Sequence, residues 1–309
     1  MNGLINVLKP PGLTSHEVVV ALRRMFDIKR IGHTGTLDPG ATGVLPICVG
    51  QGTRVAEYLI NKPKEYRVEI TFGIRTDTYD AGGKILEKSA GFKLDPLKLN
   101  NILDDFRGEI KQVPPMVSAV HHQGKRLYQL AREGKEIERK ARRVYIYEFN
   151  IIRLQKDLTY PRLLCDIKCS KGTYVRSICA EIGEKLGCGA ILSFLVRTAS
   201  GPFLLENSYT LEEILEMWRQ DDLSFLLPID FALQDIPALT VKEKAVPHIL
   251  NGQPLAPSGV LGGIGKNEMP KFVRLYSPDG KLLSLGNYCS TDDGDWHYKP
   301  KKVFASLQK

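Results

Sequence analysis

The segment that organises this chain is GHTGTLDPGATGVLP, residues 32–46. It places four glycines and two prolines around a single carboxylate, Asp38, and a single imidazole, His33. Glycine permits positive φ and close backbone approach, and proline fixes φ and removes a donor, so the local backbone is narrowly specified. Asp38 precedes Pro39, and the residue before a proline is disfavoured in the helical region of φ and ψ. The pattern is typical both of a turn entering a strand and of a loop that presents Asp38 to a partner elsewhere.

The overall composition suits one large domain or two domains of unequal size. The chain has 309 residues, and its 43 Lys and Arg against 35 Asp and Glu leave a formal charge of +8. Such a charge makes a polyanion a plausible partner, but it does not by itself separate an RNA-binding protein from an ordinary basic enzyme. The distribution of the charge is therefore more informative than its total.

The sequence predicts a cytoplasmic protein without a membrane segment. The start MNGLINVL lacks the features of a secretory signal, and no stretch approaches 18 uninterrupted apolar residues. The cysteines are scattered and form no CxxC pair, which indicates reduced thiols and not metal ligands. They are Cys48, Cys165, Cys169, Cys179, Cys188 and Cys289.

Two patterns near the organising segment predict regular structure. Thr14 and Glu17 have the spacing of a helix capping box, with an apolar helical face following. Residues 65–73 alternate as a strand that puts Tyr66 on the same face as three apolar side chains, so spacing alone favours Tyr66 as a core residue. Asp77 and Asp80 lie in a polar loop without a neighbouring histidine, and we interpret them as turn formers and not as metal ligands.

Most of the net charge lies in one stretch. Residues 121–143 carry eight Lys and Arg against three Glu, a net +5. A solvated helical face is the usual meaning of such a run. Here the flanks are purely basic and the apolar stripe is narrow (Leu127, Tyr128, Leu130, Ala131), which favours a poorly buried element that binds a phosphate backbone.

A second charged group is a candidate partner for Asp38. Residues 162–169 alternate as a strand and run into residues 170–178, with a helix that continues through Ile182 and ends near Leu186, which places Tyr174 and Arg176 at the strand-to-helix junction. Burial alone would raise the pKa of Asp38, and a guanidinium nearby would lower it again while orienting the carboxylate. The alternative is an interior structural ion pair.

From about residue 235 the texture changes to short apolar runs separated by Pro and Gly. Residues 271–286 read as a hairpin around the turn SPDG, and lysines make the tail basic. We predict a small β-rich module over residues 235–309.

Several spaced motifs together resemble the TruB family of pseudouridine synthases. They are the GTLDP segment at 35–39 with GATGVLP behind it, the KPPG opening at 9–12, the Tyr66 strand, GTYVRSI at 172–178 and LVRT at 195–198. The resemblance covers residues 1 to about 230 in family order. The tail is similar to the PUA domains that often follow such catalytic domains, by texture more than by motif.

The resemblance implies an α+β fold with an extended mixed, largely antiparallel sheet, flanking helices and a central cleft. It implies a catalytic domain over residues 1–234, with a basic RNA-binding insertion at about 121–143, and a PUA-like domain over 235–309. The expected activity is isomerisation of uridine to pseudouridine at position 55 in the T arm of tRNA, with no metal or organic cofactor. We expect a monomer without an obligatory protein partner.

The resemblance also implies roles for individual residues. Asp38 would be the catalytic nucleophile, Tyr66 would stack on the target base, and Tyr174, Arg176 and Leu195 would complete the pocket. His33 would enter the space vacated by the flipped nucleotides, and the basic insertion would close over the T stem-loop and order on RNA. A tyrosine that spacing assigns to the core thus becomes a pocket candidate.

Two other functions stay open. A related catalytic subunit that works with a guide RNA shares the aspartate loop, although the compact length and the basic insertion favour direct tRNA recognition. The chain could also be an RNA-folding factor whose aspartate loop is structural. A pure binder gains little from burying an ionised carboxylate beside a polyanion, so pairing of Asp38 with Arg176 would favour catalysis.

Overall fold

The computed structural model describes residues 1–118, 121–122, 124–127, 130, 135, 137–262, 270–290 and 296–304. The strands are β1 (Gly3–Lys9), β2 (Ile31–His33), β3 (Thr42–Val49), β4 (Lys64–Phe72), β5 (Ile74–Thr76), β6 (Ile85–Lys88), β7 (Gly108–Gln112), β8 (His121–His122), β9 (Lys125–Arg126), β10 (Arg142–Gln155), β11 (Arg162–Cys169), β12 (Ala190–Ser200), β13 (Phe203–Leu204), β14 (Leu226–Leu227), β15 (Ala238–Val241), β16 (Val260–Gly262), β17 (Phe272–Tyr276), β18 (Leu282–Ser290) and β19 (Trp296–Val303).

The α-helices of these residues are α1 (Ser15–Phe26), α2 (Ala56–Ile60), α3 (Pro96–Asp104), α4 (Val175–Leu186), α5 (Leu211–Arg219) and α6 (Val246–Leu250). Short 3-10 helices occur at Gly50–Val55, Leu205–Asn207, Ile229–Leu233, Glu243–Ala245 and Pro257–Gly259. None of the helices in the described ranges is long and apolar enough to span a bilayer.

One large mixed sheet forms the body of the molecule. Its strand order is β14-β1-β3-β12-β4-β11-β10-β7, with β2 added to β3 and β13 added to β12. Strand β12 pairs in parallel with β3 and antiparallel with β4, and the other neighbours along the sheet are antiparallel. The predicted α+β fold with a mixed, largely antiparallel sheet is confirmed.

Local sequence signals explain where the helices begin and end. The predicted capping box forms at the start of α1, where Thr14 and Glu17 each accept a hydrogen bond from the other's backbone N–H. Helix α4 ends at Gly187, whose φ of 81° is a left-handed conformation that glycine adopts without a steric penalty. These two helices flank the organising segment and carry residues that touch it.

The two faces of the large sheet differ in chemistry. Tyr66, Val68, Ile70 and Phe72 lie on one face, in a core cluster that also contains residues of α3 and α4. The opposite face of the same strands carries half-exposed ion pairs, such as Arg67 with Asp166. The alternation in the sequence of β4 is therefore confirmed, with Tyr66 at the partly buried edge of the core face.

The C-terminal residues form a separate five-stranded sheet in the order β16-β15-β17-β18-β19. The predicted hairpin is β17 and β18, which pair antiparallel. Leu285 and Phe304 of this region pack into a cluster with Leu4 and Val44 of the large sheet. The two sheets thus share an apolar interface next to β3.

Gly43 lies at the parallel junction between β3 and β12, opposite Arg197. Its φ is +107°, and a Cβ built on it would lie 2.3 Å from the carbonyl oxygen of Arg197 and 2.7 Å from its backbone nitrogen. Both neighbours are backbone atoms of a central strand, so displacing them would cost conformational free energy. A side chain at Gly43 would therefore separate β3 from β12.

We expect Gly43→Ala to lower the free energy of unfolding by about 2 to 4 kcal/mol, because it combines overpacking with an unfavourable φ. The matched control is Gly40→Ala in the same segment, since a Cβ there would meet nothing within 4 Å and the residue does not have positive φ. Urea unfolding measures both. Equal midpoints for the two variants would contradict the packing argument.

Candidate active site

Residues outside the loop between β2 and β3 hold its backbone through hydrogen bonds. The N–H of Leu37 donates to Ser15 Oγ at 2.8 Å, and that hydroxyl is 3.1 Å from the Leu37 carbonyl oxygen. The N–H of Gly12 donates to the Pro39 carbonyl at 2.8 Å. The predicted turn after β1 and the start of α1 therefore hold the backbone on both sides of the carboxylate.

A buried lysine side chain also binds backbone carbonyls of this loop. Lys9 is fully buried, and its Nζ donates to the carbonyl oxygens of Pro10 at 2.8 Å, Ala41 at 2.7 Å and Pro39 at 3.3 Å. Burial lowers the pKa of Lys9 to about 8, and the nearby Asp38 carboxylate opposes that change. The ammonium group thus satisfies three carbonyls of the loop and of the turn beside it.

A buried arginine binds the other side of the loop. Arg197 of β12 is 1% exposed, and its guanidinium donates to the carbonyl oxygens of Val44 at 2.6 Å, Gly35 at 3.0 Å and Thr36 at 3.4 Å. It also lies close enough to the Tyr66 hydroxyl for each group to shift the pKa of the other. Arg197 therefore joins the aspartate loop to the strand that carries the predicted stacking residue.

The structure brings Asp38 and Arg176 together, as their chemistry predicted. Nη2 of Arg176 lies 2.9 Å from Oδ2 of Asp38. The arginine side chain is 5% exposed and the aspartate side chain is 51% exposed, so the cation is buried and the carboxylate is half open to solvent. Arg176 also donates to the carbonyl oxygens of Val117 at 2.9 Å and Thr78 at 3.3 Å. These contacts fix the guanidinium independently of Asp38.

The carboxylate of Asp38 has a raised pKa despite its partner. Burial is the largest cause, the charge of Arg176 opposes it, and the nearby carboxylate of Asp80 raises the pKa further. About half of the side chain is exposed, while the protein around it still removes much of its water. Binding of a base against Asp38 would remove more water, and Arg176 is the group placed to compensate.

Asp80 is a neighbour of the site that the sequence did not reveal. Its Oδ1 accepts the turn hydrogen bonds expected of it, from Thr78 Oγ1 at 2.7 Å and from the Gly82 N–H at 3.0 Å. Its Oδ2 lies 3.5 Å from Nη1 of Arg176, so Arg176 lies between two carboxylates. The turn chemistry gives no signal of this second contact, because the partner is distant in sequence.

The remaining predicted pocket residues lie on two central strands of the large sheet and at the start of α4. Tyr66 and Leu195 pack in the same core cluster, on the adjacent strands β4 and β12. Burial raises the pKa of the Tyr66 hydroxyl, and its contact with Arg197 opposes that change. Tyr174 is the half-buried residue directly before α4. Their predicted contacts with a base stay predictions.

His33 is the last residue of β2, in register with Ile47 of β3. It is half-buried and lies at the start of the loop that holds Asp38. The strand pairing fixes the backbone of His33 more firmly than a loop position would. Its predicted part in nucleotide flipping stays a prediction.

The basic stretch 121–143 lies partly outside the described residues. Tyr128 and Ala131 of its apolar stripe are among those outside, whereas Leu127 and Leu130 are buried. Lys140, Arg142 and Arg143 of the same stretch are exposed, so its described residues combine buried leucines with exposed basic side chains. Closure of this stretch on RNA stays a prediction.

Comparison with known proteins gives matches over nearly the whole chain. The model of the TruB family pseudouridylate synthase N-terminal domain matches residues 23–175, and that of the tRNA pseudouridylate synthase B C-terminal domain matches residues 176–234. A tRNA pseudouridine synthase B from Moorella thermoacetica is 46% identical over 97% of this chain and 98% of its own. One from Clostridioides difficile is 46% identical over 93% and 94%.

Solved structures give the same fold. An H/ACA RNP bound to a substrate RNA containing 2′-deoxyuridine includes a chain that matches with a TM-score of 0.73 and 26% identity, over 98% of this chain and 85% of that one. A chain of a Cbf5-Nop10-Gar1 complex matches with a TM-score of 0.73 and 28% identity over the same shares.

We expect Arg197→Lys to lower the free energy of unfolding by about 2 kcal/mol or more, because one ammonium group cannot replace the fork that binds the three loop carbonyls. The matched control is Arg67→Lys, whose guanidinium makes two bonds to Asp166 on the half-exposed opposite face. That change should cost less than about 1 kcal/mol. Chemical unfolding compares the two, and an equally small loss for Arg197→Lys would contradict the bracing role.

Proposed function

The chain belongs to the TruB family of pseudouridine synthases, and we propose that its substrate is the uridine at position 55 in the T arm of tRNA. It is an enzyme that isomerises uridine to pseudouridine. The relatives named tRNA pseudouridine synthase B are 41 to 48% identical to it. Their similarity over most of both chains supports the same substrate here.

One observation carries the assignment of catalysis to Asp38. A carboxylate on a constrained loop meets a buried guanidinium at 2.9 Å, and its own side chain is half exposed. An ion pair that served only the core would have both partners buried. The arrangement instead leaves one face of the carboxylate available to a substrate.

The reaction breaks the bond from ribose C1′ to N1 of uracil and forms a bond from C1′ to C5. The hydrogen on C5 leaves as a proton and N1 gains one, so there is no net oxidation or reduction. An ionised Asp38 could attack C1′, attack C6 of the ring, or abstract a proton to give a glycal. All three routes need the carboxylate deprotonated and close to the nucleoside.

The target base must leave the stacked T loop before it can reach Asp38. Extrusion of a base costs a few kcal/mol, and stacking on an aromatic side chain returns about 1 to 3 kcal/mol. Tyr66 is the proposed stacking residue, held at the edge of the core by Arg197. His33 is proposed to fill the place that the flipped nucleotides leave.

The other pocket residues serve orientation and exclusion of water. Leu195 contributes an apolar surface beside Tyr66. Tyr174 would line the entrance, because it directly precedes the helix that carries Arg176. Arg176 would keep the carboxylate ionised when the base displaces water, since its charge acts in the direction that lowers the pKa of Asp38.

We further propose a catalytic domain over residues 1–234 and a PUA-like RNA-binding domain over 235–309, with the basic insertion at about 121–143 closing on the T stem-loop. The enzyme is proposed to act in the cytoplasm as a monomer, without a guide RNA or protein partner. Its identity to the synthase B relatives, 46% or more for several, exceeds the 26 to 28% identity to the chains of the H/ACA and Cbf5 assemblies.

Activity on a transcribed T-arm minihelix without other components tests the proposal. We expect pseudouridine at the position equivalent to 55, detected by mass labelling, and none at the other uridines. Asp38→Asn should abolish product while its affinity for the RNA stays within about tenfold, or about 1.4 kcal/mol, because the amide keeps the shape of the side chain.

Three outcomes would count against this account. Product that requires an added guide RNA or protein would favour the guided subunit. Retained turnover by Asp38→Asn would remove Asp38 from the catalytic role. Tight RNA binding by the wild type without product on any tRNA would favour a binding factor.

A further inference from the structure

A buried glutamine holds the backbone of a pocket residue. Gln112 is the last residue of β7 and is 1% exposed. Its Nε2 donates to the carbonyl oxygen of Tyr174 at 3.0 Å, and its Oε1 accepts from the N–H of Tyr174 at 2.7 Å. The carboxamide therefore satisfies both backbone groups of one residue, as a neighbouring strand would.

This pairing acts at the residue where a helix begins. Tyr174 is the N-cap residue of α4, and its side chain makes no capping hydrogen bond. The first helical bond runs from the N–H of Ile178 to the Tyr174 carbonyl at 3.3 Å. Gln112 thus fixes the residue at which the helix begins, and Arg176 follows two residues later.

The chain that follows Gln112 makes two more attachments to the start of α4. The hydroxyl of Ser177 lies 3.3 Å from the Val113 carbonyl oxygen, and Arg176 donates to the Val117 carbonyl at 2.9 Å. The segment 112–118 therefore contacts Tyr174, Arg176 and Ser177. Gln112 uses its side chain, whereas Val113 and Val117 use their backbone carbonyls.

We propose that Gln112 is a positioning residue for pseudouridine formation, which holds the start of α4 so that Arg176 meets Asp38 and Tyr174 faces the cleft. The proposal rests on the catalytic role proposed for Asp38. Gln112 touches neither Asp38 nor the expected position of the base, so it acts through the backbone of Tyr174. The residue belongs to the motif QVPP, which the proposed reaction does not otherwise use.

The charges around Asp38 give this role a distinct signature. The groups that act on its carboxylate are Arg176 and Lys9, which lower its pKa, and Asp80, which raises it. If the start of α4 shifts, the contact with Arg176 weakens while the other two groups stay on their own elements. The pKa of Asp38 then rises. As the pH is lowered, the reaction rate should therefore begin to fall at a higher pH than in the wild type. If Gln112 served stability alone, replacing it would lower the free energy of unfolding and would not move the acid limb, which is the pH range in which activity is lost on acidification.

Asn6 offers a matched control. It is also a buried carboxamide, and its Nδ2 donates to the carbonyl oxygens of Leu204 at 2.7 Å and Asn207 at 3.0 Å. These contacts lie outside the proposed catalytic machinery. Replacing it with an apolar residue of similar size should cost stability through the same kind of lost hydrogen bonds.

The experiment compares Gln112→Met and Asn6→Leu with the wild type, using single-turnover pseudouridine formation on the T-arm minihelix as a function of pH. We expect Gln112→Met to slow the reaction about tenfold or more (about 1.4 kcal/mol) and to move the acid limb to higher pH, with RNA affinity within about threefold. Asn6→Leu should keep both the rate and the acid limb while urea unfolding shows its loss of stability.

An unchanged rate and acid limb in Gln112→Met, with an active wild type, would overturn the proposal, and so would an equal shift in Asn6→Leu. An inactive wild type would instead overturn the proposed function. If Gln112→Met does not fold, Gln112→Asn gives the same comparison, because its uncharged carboxamide is one methylene shorter and cannot keep both bonds to the Tyr174 backbone.

Discussion

The binding of buried cations to backbone carbonyls is the interaction on which this site depends. Lys9 and Arg197 are both fully enclosed, and between them they bind five carbonyl oxygens of the aspartate loop and its flanks. Carbonyl dipoles solvate a buried charge without neutralising it. The loop is therefore held in place by positive charges, and Asp38 is the carboxylate that points from this loop toward Arg176. The half-exposed ion pairs on the opposite face of the sheet have no comparable consequence, since water screens them.

The sheet topology explains why residues so far apart in sequence meet. Strand β12 lies between β3 and β4, so Arg197 reaches the aspartate loop on one side and Tyr66 on the other. The parallel contact of β12 with β3 requires the close backbone approach that Gly43 allows. Arg176 arrives from α4, whose start is fixed by Gln112 at the end of β7. Each part of the site therefore depends on a backbone position set by a different strand.

Residue chemistry predicted the parts of the site that have a local signal. The sequence carried local signals for three features: the glycines and prolines around Asp38, the capping box at Thr14 and the junction before Arg176. The pairing of Asp38 with Arg176 followed from the need to keep a buried carboxylate ionised. Asp80 was not predicted as a neighbour of Arg176, because its turn-forming spacing already explains it. Gln112 had no signal either, since a single glutamine after a strand has no period and its partner is a distant backbone.

The most direct test of the account is the titration of Asp38 itself, followed by carboxyl ¹³C NMR in the free enzyme and compared with the acid limb of single-turnover pseudouridine formation. The ordinary aspartate pKa is 3.8, and burial raises that of Asp38 while Arg176 limits the rise. Activity needs the ionised form, so it is lost as the pH falls through the raised pKa. The account predicts a titration midpoint above 3.8 that coincides with the acid limb, and a further rise of both in Arg176→Gln. An acid limb that does not follow the titration of Asp38, or that stays in place in Arg176→Gln, would contradict it.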